Sequence, residues 1–155
     1  MRRIVLAVLA AAALVPGAAR AGNATATFTV NATVTNNCTI SAPASFTFGS
    51  WDMSSAASVN GVLTVACTKG ASYAMTLASA NAWTMTGAAD ALPYVIYQPD
   101  ASGNAATTTP WDATHAYSYP STSRAAKGLT FTAIVQPGDV AAGAYSDTVT
   151  ATINF

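Results

Sequence analysis

Apolar and polar residues alternate with a period of two along much of this chain. Ala24, Ala26, Phe28, Val30, Ala32 and Val34 share one parity, and Thr25, Thr27, Thr29, Asn31, Thr33 and Thr35 share the other. A strand with one buried face requires that pattern. Further strands are predicted over 45–48, 62–67, 73–77, 92–97, 128–136 and 144–155. Between them, Asn60-Gly61, Lys69-Gly70, Pro99-Asp100 through Gly103-Asn104, and Pro137-Gly138-Asp139 supply turn chemistry. Residues 105–123 are irregular and predict a long surface connection. About seven strands separated by such turns imply a β-sandwich.

The last stretch has the cleanest alternation. Tyr145, Val149, Ala151, Ile153 and Phe155 lie on one face, with Ser146, Thr148, Thr150, Thr152 and Asn154 on the other. The sequence given therefore reaches its last residue inside a predicted strand, which is expected to leave a sheet edge without its neighbour. A similar alternating segment precedes the first cysteine.

Composition agrees with the strand pattern. With 52% apolar and 8% charged residues, a chain of 155 residues carries enough apolar surface for a folded domain. Met1-Arg2-Arg3, the twelve apolar residues of 4–15 and Ala19-Arg20-Ala21 read as a secretory signal over 1–21. A membrane anchor would need about 20 apolar residues. Without that signal, Lys69, Arg124 and Lys127 stand against six aspartates and no glutamate, a formal charge of minus three. Such a chain has no basic surplus to neutralise phosphates, so no nucleic-acid partner is expected. The scarcity of Glu, Lys and Arg beside abundant Thr, Ser, Val and Tyr predicts an all-β protein.

Candidate chemistry is sparse. In an exported protein the two cysteines most simply form one disulfide, Cys38 to Cys67; a metal or redox pair would need closer spacing or more ligands. His115 is the one imidazole, and no serine has a nucleophile context such as G-x-S-x-G. Asp52, Asp100, Asp112 and Asp139 fall in turn-like sequence, where aspartate bonds its own backbone. No phosphate-binding loop and no zinc spacing occurs, so neither an enzyme, a cofactor nor a metal is expected. Trp51, Trp83 and Trp111 could present rings to a sugar, or serve core and rim packing.

Several segments resemble the spore coat protein U domain family, whose members include subunits of archaic (Csu-type) chaperone-usher pili. They are Asn37-Cys38-Thr39-Ile40, Phe46-Thr47-Phe48-Gly49-Ser50-Trp51-Asp52, Leu63 through Gly70, Leu92-Pro93-Tyr94-Val95-Ile96-Tyr97, Trp111, and Gly143-Ala144-Tyr145-Ser146-Asp147-Thr148-Val149 onward to Ile153. A glycine usually follows that tryptophan in the family; here Asp112 does. The resemblance implies an incomplete immunoglobulin-like sandwich lacking its last strand, with an N-terminal donor-strand extension. It also implies a periplasmic pilus chaperone, an outer-membrane usher and identical or related pilin subunits as partners.

On this reading residues 22–31 are the donor strand and 32–155 the sandwich domain. Ala24, Ala26, Phe28 and Val30 insert into a neighbour, while Val149, Ala151, Ile153 and Phe155 form the acceptor and chaperone-binding strand. The expected function is a structural fimbrial subunit that is exported through the periplasm and polymerises on the cell surface, supporting adhesion and biofilm formation. The alternative is a secreted carbohydrate-binding or spore-coat module that is complete as a monomer.

Overall fold

The computed structural model describes residues 21–87 and 90–155, so the expected export signal lies outside the described residues except for Ala21. Eight strands and no α-helix are found among them. They are β1 (Cys38–Ser41), β2 (Ala57–Cys67), β3 (Ser72–Ser79), β4 (Thr84–Thr86), β5 (Ala91–Tyr97), β6 (Tyr117–Pro120), β7 (Lys127–Val135) and β8 (Val149–Asn154). One sheet has the order β1-β2-β7-β5-β4 and the other β6-β3-β8. Every pairing is antiparallel. The result is an all-β, immunoglobulin-like sandwich.

Alternation decides which side chains enter the core. Leu63, Val65 and Cys67 of β2, Tyr73, Met75 and Leu77 of β3, Leu92, Tyr94 and Ile96 of β5, and Leu129, Phe131, Ala133 and Val135 of β7 are all buried. Each set is spaced two residues apart, and the intervening positions lie on the other face, where Thr132 of β7 is also covered. These four strands carry the predicted runs with modest shifts of boundary.

Val34–Phe155 form one compact unit, and the residues up to Thr33 are a separate one. In the described part of the latter, 21–33, no strand forms; Phe28 is 87% exposed and Val30 80%. The strand expected over 24–34 is therefore absent from this single chain, as is that over 45–48. Alternation makes a segment competent to be a strand, but a ladder needs a neighbouring backbone. Over 144–155 the strand begins only at Val149, because Tyr145 ahead of it packs into a corner on Gly87.

Asn60-Gly61, expected as a turn, lies inside β2, where Gly61 sits directly opposite Phe131 of β7. The Phe131 ring covers the glycine, and a Cβ there would overlap it. The ring's edge-to-face neighbour is Phe46, 5.3 Å away between centroids. Residues 105–123 also differ from expectation. They contain β6 and the buried Trp111, whose indole nitrogen donates to the Met75 carbonyl at 2.9 Å while its backbone nitrogen donates to the Ile96 carbonyl at 2.7 Å. Trp111 thus ties β3 of one sheet to β5 of the other.

Cys38 and Cys67 are cross-strand partners in β1 and β2 and form a disulfide with a Cα–Cα distance of 4.1 Å. Closing a loop of about 30 residues stabilises a fold by about 3.6 kcal/mol in the chain-entropy treatment.

Replacing Gly61 with Val should cost about 1–3 kcal/mol, because the added carbons displace a ring that is packed on both sides. Urea unfolding of the oxidised protein measures this, and an unchanged midpoint would contradict the packing described for Phe131.

Candidate functional site

Within the compact unit, an open groove of about 820 Å³ lies between residues 45–53 and residues 140–149. Phe48, Trp51 and Met53 line one wall, Val140, Tyr145 and Val149 the other, and Leu92, Tyr94 and Val135 are among its remaining lining residues. The first wall follows β1 along the chain and is held to β7 through the contact of Phe46 with Phe131. Locally, Trp51 Nε1 donates to the Ser55 carbonyl at 2.8 Å, and Asp52 accepts the backbone nitrogen of Ser54 at 3.1 Å. That tight bend holds Met53 at φ 62°, in the left-handed region.

The opposite wall is a corner. Tyr145 packs on Gly87, where a Cβ would meet its ring, and its hydroxyl donates to the Ala141 carbonyl at 2.7 Å. A tyrosine ahead of a sandwich strand, bonded back to the chain a few residues upstream, is the tyrosine corner of immunoglobulin-type domains. Ser146 then exchanges two 3.0 Å backbone bonds with Thr86 at the end of β4, and the chain crosses to the other sheet as β8.

Asp147 occupies that crossing. Its carboxylate accepts the Ser79 hydroxyl of β3 at 2.5 Å, the Tyr94 hydroxyl of β5 at 2.6 Å, the Asn81 amide at 3.1 Å and the backbone nitrogen of Thr148 at 2.7 Å. One side chain therefore joins both sheets beside the groove. Burial pushes the Asp147 pKa up, but hydrogen bonds from Ser79, Tyr94 and Thr148 outweigh it and hold the carboxyl below its ordinary value. Burial pushes the Tyr94 phenol strongly upward, and its bond to Asp147 adds to the shift. Ser79 also accepts the backbone nitrogens of Asn81 and Trp83, stabilising a turn with two more left-handed residues, Ala82 and Trp83.

β8 pairs with β3 alone, so its other edge has no strand partner among the described residues. Its inward residues Val149, Ala151 and Ile153 are half-buried, unlike their counterparts in β2, β3, β5 and β7. Phe155 follows the strand and is 55% exposed. The groove and this edge are continuous through Val149.

Residues 24–152 match the sequence profile of the Spore Coat Protein U domain. The chain belongs to this family. A search of curated proteins gives no match. Among solved structures, this Spore Coat Protein U domain is similar to a chain of the chaperone–tip adhesion subunit pre-assembly complex from archaic chaperone-usher Csu pili of Acinetobacter baumannii. The two are 23% identical with a TM-score of 0.54, over 79% of this chain and 40% of that one. The domain spans less than half the length of that relative, and the likeness concerns the fold.

The remaining sequence candidates take local roles. His115 Nδ1 lies 2.9 Å from Asp112 and 3.0 Å from Thr114, with no serine among its bonded partners. Asp112 and Asp100 cap their own turns, as expected of them. Trp111 is buried and Trp83 packs on Tyr94, so the three tryptophans share no exposed face. Asp147 is legible in the sequence only as part of the family segment from Gly143 to Ile153, and its tie between the sheets comes from the structure. Its signal is an acid on the apolar parity of the last strand pattern, where a carboxylate needs buried partners.

Because the Asp147 pKa is depressed in the fold, its stabilisation is complete above the ordinary carboxyl value of 3.8 and is lost as pH falls below it. Asp147→Asn should flatten the acid limb of the stability curve and cost about 1–3 kcal/mol at neutral pH. Chemical unfolding at a series of pH values checks both; a variant with the parent's acid limb would refute the assignment.

Proposed function

We propose that this Spore Coat Protein U domain is a pilus subunit that polymerises by donor-strand complementation in a chaperone-usher pathway. The supporting observation is the groove beside the unpaired edge of β8, together with the exposed alternating segment 22–30. An edge with free N–H and C=O groups accepts an extended peptide, whose alternate side chains enter pockets. Eight residues of strand reach about 26 Å, more than the length of β8, which has 6 residues. Ala24, Ala26, Phe28 and Val30 of one copy fill the groove of the next, and Thr25, Thr27 and Thr29 face outward. Phe28 and Val30 are the anchors, each burying surface worth roughly 1.5–3 kcal/mol before ordering costs.

A donor at one place and an acceptor at another give a head-to-tail contact, which builds an open filament when its rotation does not close. The similar solved structure is a chaperone–subunit complex captured before assembly, which supports a periplasmic chaperone as the first occupant. An outer-membrane usher and further pilins then complete the pathway, with the polymer displayed at the cell surface for adhesion and biofilm formation.

The test is to express the mature chain with and without a periplasmic pilus chaperone and look for SDS-resistant ladders, which report kinetic stability. Wild type should form them. Deleting residues 22–30 should abolish the ladders while leaving a folded, chaperone-binding domain. Phe28→Asp should do the same, since an unpaired carboxylate in an apolar pocket is strongly disfavoured. Removing residues 149–155 should abolish chaperone capture. A single monomer band from wild type in both conditions, or unfolding of the 22–30 deletion, would instead support a domain complete as a monomer.

A further inference from the structure

A second cavity, of about 410 Å³, lies at the other end of β7 from the groove and shares no lining residue with it. Tyr73, Tyr119, Ser121, Thr122, Ser123 and Lys127 give it its polar lining. Val65, Cys67 and Ala125 add apolar wall.

Two of these groups make no hydrogen bond or ion pair among the described residues. Tyr73 is only 4% exposed, and its hydroxyl makes no hydrogen bond among the described residues. No side-chain oxygen that is sealed from solvent lacks a partner among them. The hydroxyl oxygen therefore keeps some access to solvent, and Tyr73 is one of the residues that line the cavity. Burial pushes that phenol up to about 12, so it is a neutral donor at physiological pH. Lys127, in turn, pairs with no carboxylate among the described residues, where the single ion pair is His115 with Asp112. Its ammonium stands 3.5 Å from the centroid of the Tyr119 ring, and Tyr119 is stacked against Tyr117 with an interplanar angle of 5°. That contact positions the cation and leaves its N–H donors without an anion.

The geometry points to a binding site for a compact acidic sugar, a hexuronate-type unit whose carboxylate accepts from Lys127 and Tyr73. The cavity volume falls in the range of small-molecule sites, which run from about 300 to 1,000 Å³. An ammonium and a phenol that both donate suit a carboxylate, which only accepts. Thr122 and Ser123 bring hydroxyls suited to a polyhydroxylated ring rather than an aliphatic acid. The ring does not stack on Tyr119, whose neighbours are already Lys127 and Tyr117. This site is independent of the assembly reading, since it uses neither the groove nor the leading segment.

The test titrates the mature protein with sodium glucuronate, glucose and inorganic phosphate, followed by two-dimensional amide NMR. Glucuronate should shift amides of 119–128 and saturate with a Kd of roughly 1–10 mM, a weak monosaccharide-scale affinity. Glucose and phosphate at equal concentration should leave them in place. Lys127→Gln should weaken binding about tenfold, the effect of losing one charged contact of ordinary strength. Tyr73→Phe should weaken it several-fold with an unchanged thermal midpoint, because the hydroxyl removed has no partner in the fold. Should Lys127→Gln fail to fold, Tyr73→Phe carries the test. Equal shifts with glucose or phosphate, or wild-type affinity in Tyr73→Phe, would overturn the assignment.

Discussion

A strand hydrogen-bonded along one edge only, whose inward side chains are half-covered, cannot be satisfied by the sheet it belongs to. β8 is in that position: β3 supplies one ladder, and Val149, Ala151 and Ile153 point toward a core that does not close over them. Backbone groups and apolar side chains are left open at the same place, so the edge suits an occupant that is both extended and alternately apolar.

Three devices hold the opening. Phe46, packed on the Phe131 ring that covers Gly61, carries one lip back to the centre of the five-stranded sheet. The Tyr145 corner sets the approach to β8 on the other side. Asp147, gripping Ser79 and Tyr94, fixes the spacing between the layers with charge-assisted bonds. At the far end Trp111 makes an equivalent tie with a neutral donor. Layers tied at both ends keep their separation where packing alone would draw them together.

Much of this was legible as periodicity. The buried strands β3, β5 and β7 and the inner half of β2 announce themselves because each has a partner on both sides, so local pattern and tertiary pairing agree. The disagreements have physical causes. Asn60-Gly61 has turn chemistry, yet its conformation is decided by an aromatic ring 70 positions away in sequence. Residues 24–34 and 45–48 have strand chemistry and no neighbour to express it. β1, β4 and β6, of 4, 3 and 4 residues, are too short for a period to register. Trp111 lies in a stretch that looks irregular because its role is to bridge layers rather than continue one. Within the groove, the final strand could be read from alternation, whereas the Asp147 network joins residues 53 and 68 positions apart and its local trace is limited to an acid on the apolar parity.

The cross-strand disulfide also has a mechanical meaning. β1 is a four-residue edge strand, and a pull on the chain ahead of Cys38 would ordinarily peel it from β2 one hydrogen bond at a time. The bridge to Cys67 lies at the first residue of β1, so tension arriving there passes directly into the end of β2, the longest strand, which is laddered to β7 from Ala57 to Val65. Load is shunted past the weakest seam into the strand best able to bear it in shear, and the wall of the groove downstream of β1 is insulated from traction on the leading segment.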